Sequence, residues 1–175
     1  KALVFGAESD VVKSGRVSTV QAVGGTGGLK IGADFLKKIN PNAKVLISNP
    51  SWENHRAIFQ NAGLEVGTYA YYDAATRSVD FAGMLADLNA AEAGTIVVLH
   101  ACCHNPTGYD ISAAQWEEVI AVVKAKGLVA FLDMAYQGFG YGIAEDGAVI
   151  AKFVAAGLDI FVSTSFSKSF SLYGE

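Results

Sequence analysis

Cysteine, proline, charge and long apolar runs are all scarce in this chain of 175 residues. The two cysteines are neighbours, Cys102 and Cys103, which suits neither a disulfide framework nor a C-x-x-C redox pair. A reducing compartment, the cytoplasm, is the expectation. Charged residues make up 17% against 51% hydrophobic, where about 25% charged is usual. That balance excludes a disordered tail and implies a thick core. Basic residues are in the minority, 13 against 17 acidic, for a net charge of −4. There is no general attraction to nucleic acid or acidic lipid, and neither is expected as a partner. No apolar run approaches the roughly 18–20 residues of a membrane span. Lys1–Ala7 lacks the length and cleavage pattern of a signal peptide. The chain opens without Met and closes at Gly174-Glu175 without a tail composition, which reads as a piece of a longer polypeptide. Glycine is the residue in excess, with 19, so the backbone turns tightly in many places.

Along the chain, strand, loop and helix alternate. Val17–Val23 reads as a strand, and Gly24–Gly28 opens a helix through Phe35 and Ile39. Lys44–Ser48 is the next strand, followed by Asn49-Pro50-Ser51-Trp52 and a short helix ending at Gly63. Glu65–Tyr69 reads as a strand, and Asp80 caps a helix to about Asn89. Thr95–Leu99 and Leu128–Asp133 are continuous apolar runs, as in strands buried on both faces. Between them lies a helix over Ala113–Lys126, with a Ser112/Gln115 capping box, Glu117 and Glu118 in its first turn, and Gly127 as its stop. A helix around Val149–Ala156 and a strand over Ile160–Ser165 close the pattern. The expectation is one domain of α/β class, a mostly parallel sheet sandwiched by helices.

In such sheets the loops after the strands share one edge, where ligands bind. That edge should gather Gly25-Thr26, Trp52, the loop His100–Gly108 with Asn105, Asp133 with Tyr136, and Ser165 with Lys168. A lysine amine forms imines with carbonyl compounds. A carboxylate opposite a pyridine nitrogen keeps the ring protonated and makes it an electron sink. A phenol and an amide hydrogen-bond a ring oxygen, an indole stacks on a flat ring, and a helix N-terminus offers free N–H groups to a phosphate. One cofactor uses all of these partners, pyridoxal 5′-phosphate.

The motifs Gly24–Gly27, Asn49–Trp52 with His55, His100–Gly108, Asp133–Phe139 and Ser165–Lys168 with Leu172-Tyr173 carry a resemblance over essentially the whole chain. It resembles the large, cofactor-binding domain of the fold-type I aminotransferases, in the subgroup acting on aspartate and aromatic amino acids. The resemblance implies a domain spanning residues 1–175, truncated at both ends and lacking the small domain. It implies amino-group transfer from an amino acid to a 2-oxo acid such as 2-oxoglutarate, in alternating half-reactions through an aldimine on Lys168. Asp133 would pair with the pyridinium nitrogen, with His55 behind it. Asn105 and Tyr136 would hold the phenolic oxygen, Trp52 would stack on the ring, and Gly25, Thr26 and Ser165 would bind the phosphate. Trp52 and Asn105 would also touch the substrate carboxylate, and the parent would be a homodimer. Gly24 replaces a serine that some relatives carry. The family's phosphate and substrate arginines have no counterpart in Arg16, Arg56 or Arg77, so the fragment is expected to be inactive alone.

Other readings fit less of the pattern. Gly24–Gly28 fails G-x-G-x-x-G at Lys30, and Leu29 separates Gly28 from Lys30 where a P-loop needs them adjacent. His100, Cys102, Cys103 and His104 have no second cluster to complete a zinc site, and no metal is expected. Ser165-x-x-Lys168 also matches a serine hydrolase motif, but S-D-N is missing and Lys13-Ser14-Gly15 precedes it. A non-catalytic, cofactor-binding fragment is the remaining alternative.

Overall fold

The computed structural model describes residues 1–174. Two short helices, α1 (Ala2–Phe5) and α2 (Asp10–Lys13), precede α3 (Gly24–Ile39), β1 (Lys44–Asn49), α4 (Glu53–Asn61) and β2 (Glu65–Ala70). Next come a small antiparallel hairpin of β3 (Tyr72–Asp73) and β4 (Ser78–Val79), then α5 (Phe81–Ala90) and β5 (Ile96–His100). The chain continues through α6 (Ala113–Lys126), β6 (Val129–Met134), α7 (Ile143–Ala155) and β7 (Ile160–Thr164).

β1, β2, β5, β6 and β7 form one sheet in the order β2-β1-β5-β6-β7, with every pairing parallel. The apolar runs explain the middle of it: Ile96–Leu99 and Ala130–Met134 are buried throughout because helices cover both faces. Leu29, Ala33 and Leu36 of α3 and Ile58 and Phe59 of α4 pack on one face, around Phe131. Met84, Leu88, Trp116, Val119, Ile150 and Phe153 from α5, α6 and α7 fill the other.

Local signals set the helix ends. Ser112 and Gln115 close a reciprocal capping box at the start of α6, and Gly127 ends it with φ 64°, a left-handed conformation natural to glycine. Asp80 accepts a hydrogen bond from the Gly83 amide at the start of α5.

Several expectations are corrected. Val17–Val23 is not a strand: the sheet offers it no partner, and Val20 and Val23 are exposed. β-Propensity without a ladder does not make a strand. Glu117 and Glu118 lie beyond the first turn of α6, since Ala113 is its first residue. α7 begins at Ile143, six residues before the expected Val149, because Glu145 and Asp146 sit in its first turn and favour a helix start.

Gly32 fixes how closely α3 approaches the sheet. A Cβ there would lie 2.5 Å from Phe131 Cζ, inside a packed face. Gly32→Ala is expected to destabilise the fold by about 1–3 kcal/mol through overpacking. A lowered denaturation midpoint with unchanged m-value checks this.

Candidate active site

All five parallel strands end at one edge of the sheet, and the loops after β1, β5, β6 and β7 meet the first turn of α3 there. The cleft between them is lined by Gly25, Thr26, Leu29, Trp52, His100, Asn105, Asp133, Ala135, Tyr136, Ser165 and Lys168. Every residue named from the sequence for the cofactor therefore borders this cleft, and His55 lies directly behind Asp133. Leu29, Ala135 and His100 were not named for it. Leu29 reads as an ordinary core residue of α3, with nothing in the sequence to mark its second role.

Asp133, near the end of β6, is 9% exposed, and His55 on α4 is fully buried. His55 Nε2 lies 2.7 Å from Asp133 Oδ2, and its Nδ1 lies 2.8 Å from Ser51 Oγ. Ser51 Oγ also makes a long, 3.5 Å contact with His100 Nε2, and His100 Nδ1 accepts from the Asn105 amide at 3.1 Å. Because that amide can only donate, His100 Nδ1 is unprotonated and its proton sits on Nε2. With neutral His55, the same direction runs on: Ser51 donates to Nδ1 of His55, whose Nε2–H points at Asp133. A hydrogen-bonded chain thus links the Asn105 loop to the Asp133 carboxylate.

His104, on the same loop, bonds Ser48 Oγ at 2.9 Å and Thr107 Oγ1 at 2.8 Å, and stacks between Tyr71 and His100. Burial, with neighbouring His104 and His55, pushes His100 down to about 3. Burial and His55 push His104 down to about 4. Both values lie below the usual 6.5, so the unfolded chain takes up these protons first as pH falls. The associated stability is complete above about pH 6.5 and declines below it, the His104 share down to about pH 4 and the His100 share down to about pH 3. At pH 5 the loss is roughly 2–4 kcal/mol for the pair relative to pH 7. Urea midpoints at the two pH values, compared between the parent and a His104→Gln variant, measure it.

The β6 and β5 loops are held by carboxylates that the sequence reading did not single out. Asp110 accepts from the Cys103 and His104 amides at 2.7 and 2.8 Å. Asp146 accepts from the amides of Gly138, Gly140 and Tyr141, each at 2.9 Å; burial pushes its pKa up, but these backbone bonds together hold it below the usual carboxylate value. Backbone–carboxylate contacts across a folded loop leave no spacing signature. The Asn105–Pro106 and Asn49–Pro50 peptide bonds are both cis.

At the other end of the cleft, α3 begins without a side-chain cap, so the first amides of a 16-residue helix face it unclaimed by any capping side chain. A Cβ on Gly25 would lie 3.4 Å from Ser165 Cβ, so a bare backbone brings these two walls together. Ser163 Oγ donates to the Gly25 carbonyl at 3.1 Å and ties α3 to β7. Lys168 is exposed, on a turn after β7, with Nζ 5.6 Å from the centre of the Tyr136 ring. Ser165 Oγ bonds Ser167 Oγ at 3.0 Å and accepts from the Ser167 amide at 3.1 Å. It makes no bond to Lys168 and does not open a helix, in contrast to an S-x-x-K nucleophile.

Chemically, one edge holds an amine, a carboxylate braced by a buried imidazole, a phenol, an amide, an indole face and a helix N-terminus. Residues 2–175 match the aminotransferase class I and II family. The chain belongs to that family. It is 63% identical over 173 residues to the aspartate aminotransferase of Pseudomonas aeruginosa, covering 99% of this chain and 44% of that protein. To the aromatic-amino-acid aminotransferase of Escherichia coli it is 55% identical, with the same coverage of each. Among solved structures, the aromatic-amino-acid aminotransferase of Burkholderia pseudomallei, covalently bound to pyridoxal phosphate, superposes with a TM-score of 0.98 at 64% identity. That alignment covers 99% of this chain and 44% of the other. The chain of this aminotransferase-family protein thus spans less than half the length of these relatives, and its α/β architecture is that of their large domain.

Proposed function

We propose that the chain is the cofactor-binding part, over residues 1–175, of a pyridoxal phosphate-dependent aminotransferase that moves amino groups between amino acids and 2-oxo acids. The observation that carries it is Lys168 and the His55-braced Asp133 carboxylate opening into one cleft. The remaining donors fit the same cofactor: uncapped helix amides at Gly25 and Thr26 suit a phosphate, and Trp52 offers a flat face. When bound, pyridoxal phosphate supplies an aldehyde carbon and a protonated ring that takes up an electron pair.

The residues divide the work. Lys168 Nζ would hold the cofactor at its aldehyde carbon and, as a free amine, would accept and return the proton of the substrate α-carbon. Asp133 holds the positive charge on the ring nitrogen, and His55 holds Asp133. Asn105 and Tyr136 donate to the phenolic oxygen, and Ser165 adds a hydroxyl to the phosphate end. Trp52 and Asn105 also reach the substrate carboxylate. Aspartate and aromatic amino acids are the substrate class that the relatives' names support, and 2-oxoglutarate is the acceptor this reading assigns.

A homodimeric parent is part of the reading, supported by exposed Tyr141, Phe166, Phe170, Leu172 and Tyr173. A cytoplasmic location is supported by two free thiols, and among the described residues no helix is long and apolar enough to cross a membrane.

The longer parent protein should convert its bound cofactor from the aldehyde to the amine form on addition of glutamate alone, seen as a shift in absorbance. No shift, or steady hydrolysis of a β-lactam instead, overturns the proposal. The 175-residue chain by itself is expected to sustain no turnover, because the arginines that clamp the substrate carboxylate have no counterpart in it. Losing one such clamp costs about 1.5–3 kcal/mol, or roughly ten- to a hundredfold in rate. Steady transamination by the purified chain, freed of longer protein, would contradict that assignment.

A further inference from the structure

We propose that Cys102 and Cys103 form a dithiol receptor for trivalent arsenicals that carry one organic group. Their sulfurs lie within 4.8 Å of each other and of an Asp146 oxygen. The cysteines follow β5, and Asp146 lies on α7, so only the fold brings the three together. Cys102 is buried and Cys103 half-buried, and Cys103 opens on a broad groove that Tyr109, Tyr136 and Phe139 also line. Asp110 holds the backbone amides of both Cys103 and His104, so the loop presents the two thiols from a fixed frame.

Three features favour an arsenical over a divalent cation. Both oxygens of Asp146 already accept backbone hydrogen bonds, Oδ2 from Gly138 and Gly140 and Oδ1 from Tyr141. As a metal ligand, Asp146 would have to weaken the bonds that shape that loop. Burial also pushes both thiols up, so the thiolates that a cation requires are disfavoured. An organoarsenic(III) oxide has no such requirement. Two As–S bonds form, the arsenic–oxygen bond breaks, and the two thiol protons leave with that oxygen as water. Arsenic stays trivalent, no electrons are transferred, and the product is neutral, which suits a buried position. The third valence of arsenic keeps its carbon substituent, and the aromatic walls of the groove are suited to an aryl group.

The test uses phenylarsine oxide on the full-length protein. One phenylarsenic unit should add per chain, with loss of two titratable thiols, and peptide mapping should place it on the segment holding Cys102 and Cys103. The adduct should survive excess 2-mercaptoethanol and be removed by a dithiol. In Cys103→Ser and Cys102→Ser the monothiol alone should strip it. An adduct that maps elsewhere, a Cys102 that stays titratable, or equal retention in Cys103→Ser would each overturn the proposal. Protection of both thiols by zinc chloride at the same concentration would overturn it in favour of a metal site. If a variant fails to fold, the mapping and monothiol challenge on the parent still decide. None of these readouts depends on cofactor chemistry, so the aminotransferase reading can fail without affecting them.

Discussion

Lys168→Ala in the full-length protein is expected to lose transamination almost completely while leaving the cleft able to dock the cofactor. Removing the amine takes away both the bond to the aldehyde carbon and the group that moves the α-proton. Positioned proton transfer alone is worth roughly 10²–10⁴-fold. Lys168 is exposed on its turn and, among the described residues, contributes no hydrogen bond to the fold, so stability should be nearly unchanged. Borohydride reduction should attach the cofactor irreversibly to the parent and not to the variant. Retained borohydride labelling in Lys168→Ala, or activity near that of the parent, would show that another amine does this work.

Asp133→Ala is expected to fail differently. Borohydride labelling at Lys168 should persist, whereas proton abstraction slows. An opposing charge near a titratable nitrogen moves its pKa by about 1–3 units, each worth about 1.4 kcal/mol. The expected loss is therefore ten- to a thousandfold in the single-turnover rate. An N-methylated cofactor analogue, whose ring nitrogen is permanently charged, should recover part of it. The substitution also leaves buried His55 Nε2 without its acceptor at 2.7 Å, so a fall of about 1–3 kcal/mol in stability should accompany the kinetic effect. His55→Gln should cause a smaller rate loss, because Asp133 keeps its charge and loses only its brace. Equal rates for the parent and Asp133→Ala would remove the carboxylate from the mechanism.

The sheet and the cleft were legible for a physical reason. β5 and β6 are covered on both faces, so their sequences are continuous apolar runs, and the chemistry-bearing residues follow directly where those runs stop. Capping made α6 readable to the residue, through Ser112, Gln115 and Gly127. Val17–Val23 misled because its side chains resemble those of a strand, while strand formation depends on a neighbour that a local pattern does not contain. The support of the site was the least legible part. Ser51, Asp110 and Asp146 act by meeting backbone amides or ring nitrogens across folded loops, and nothing in their immediate sequence distinguishes them from ordinary polar loop residues. The Cys102-Cys103-Asp146 grouping was hidden in the same way, since the cysteines follow β5 and its third member belongs to α7.

Among the described residues, β7 has a hydrogen-bonded neighbour on one side only, yet it delivers Ser163, Ser165 and Lys168. Outer strands open locally more often than central ones and exchange their amide hydrogens sooner. In the 175-residue chain, the lysine and the phosphate end therefore ride on one of the more easily frayed strands, while Asp133 and His55 are anchored next to the sheet's interior. A ligand that bridges β7 and the first turn of α3 slows that fraying in proportion to its occupancy. On warming the 175-residue chain, the two ends of the cleft should part before the core melts, so cofactor release would precede unfolding.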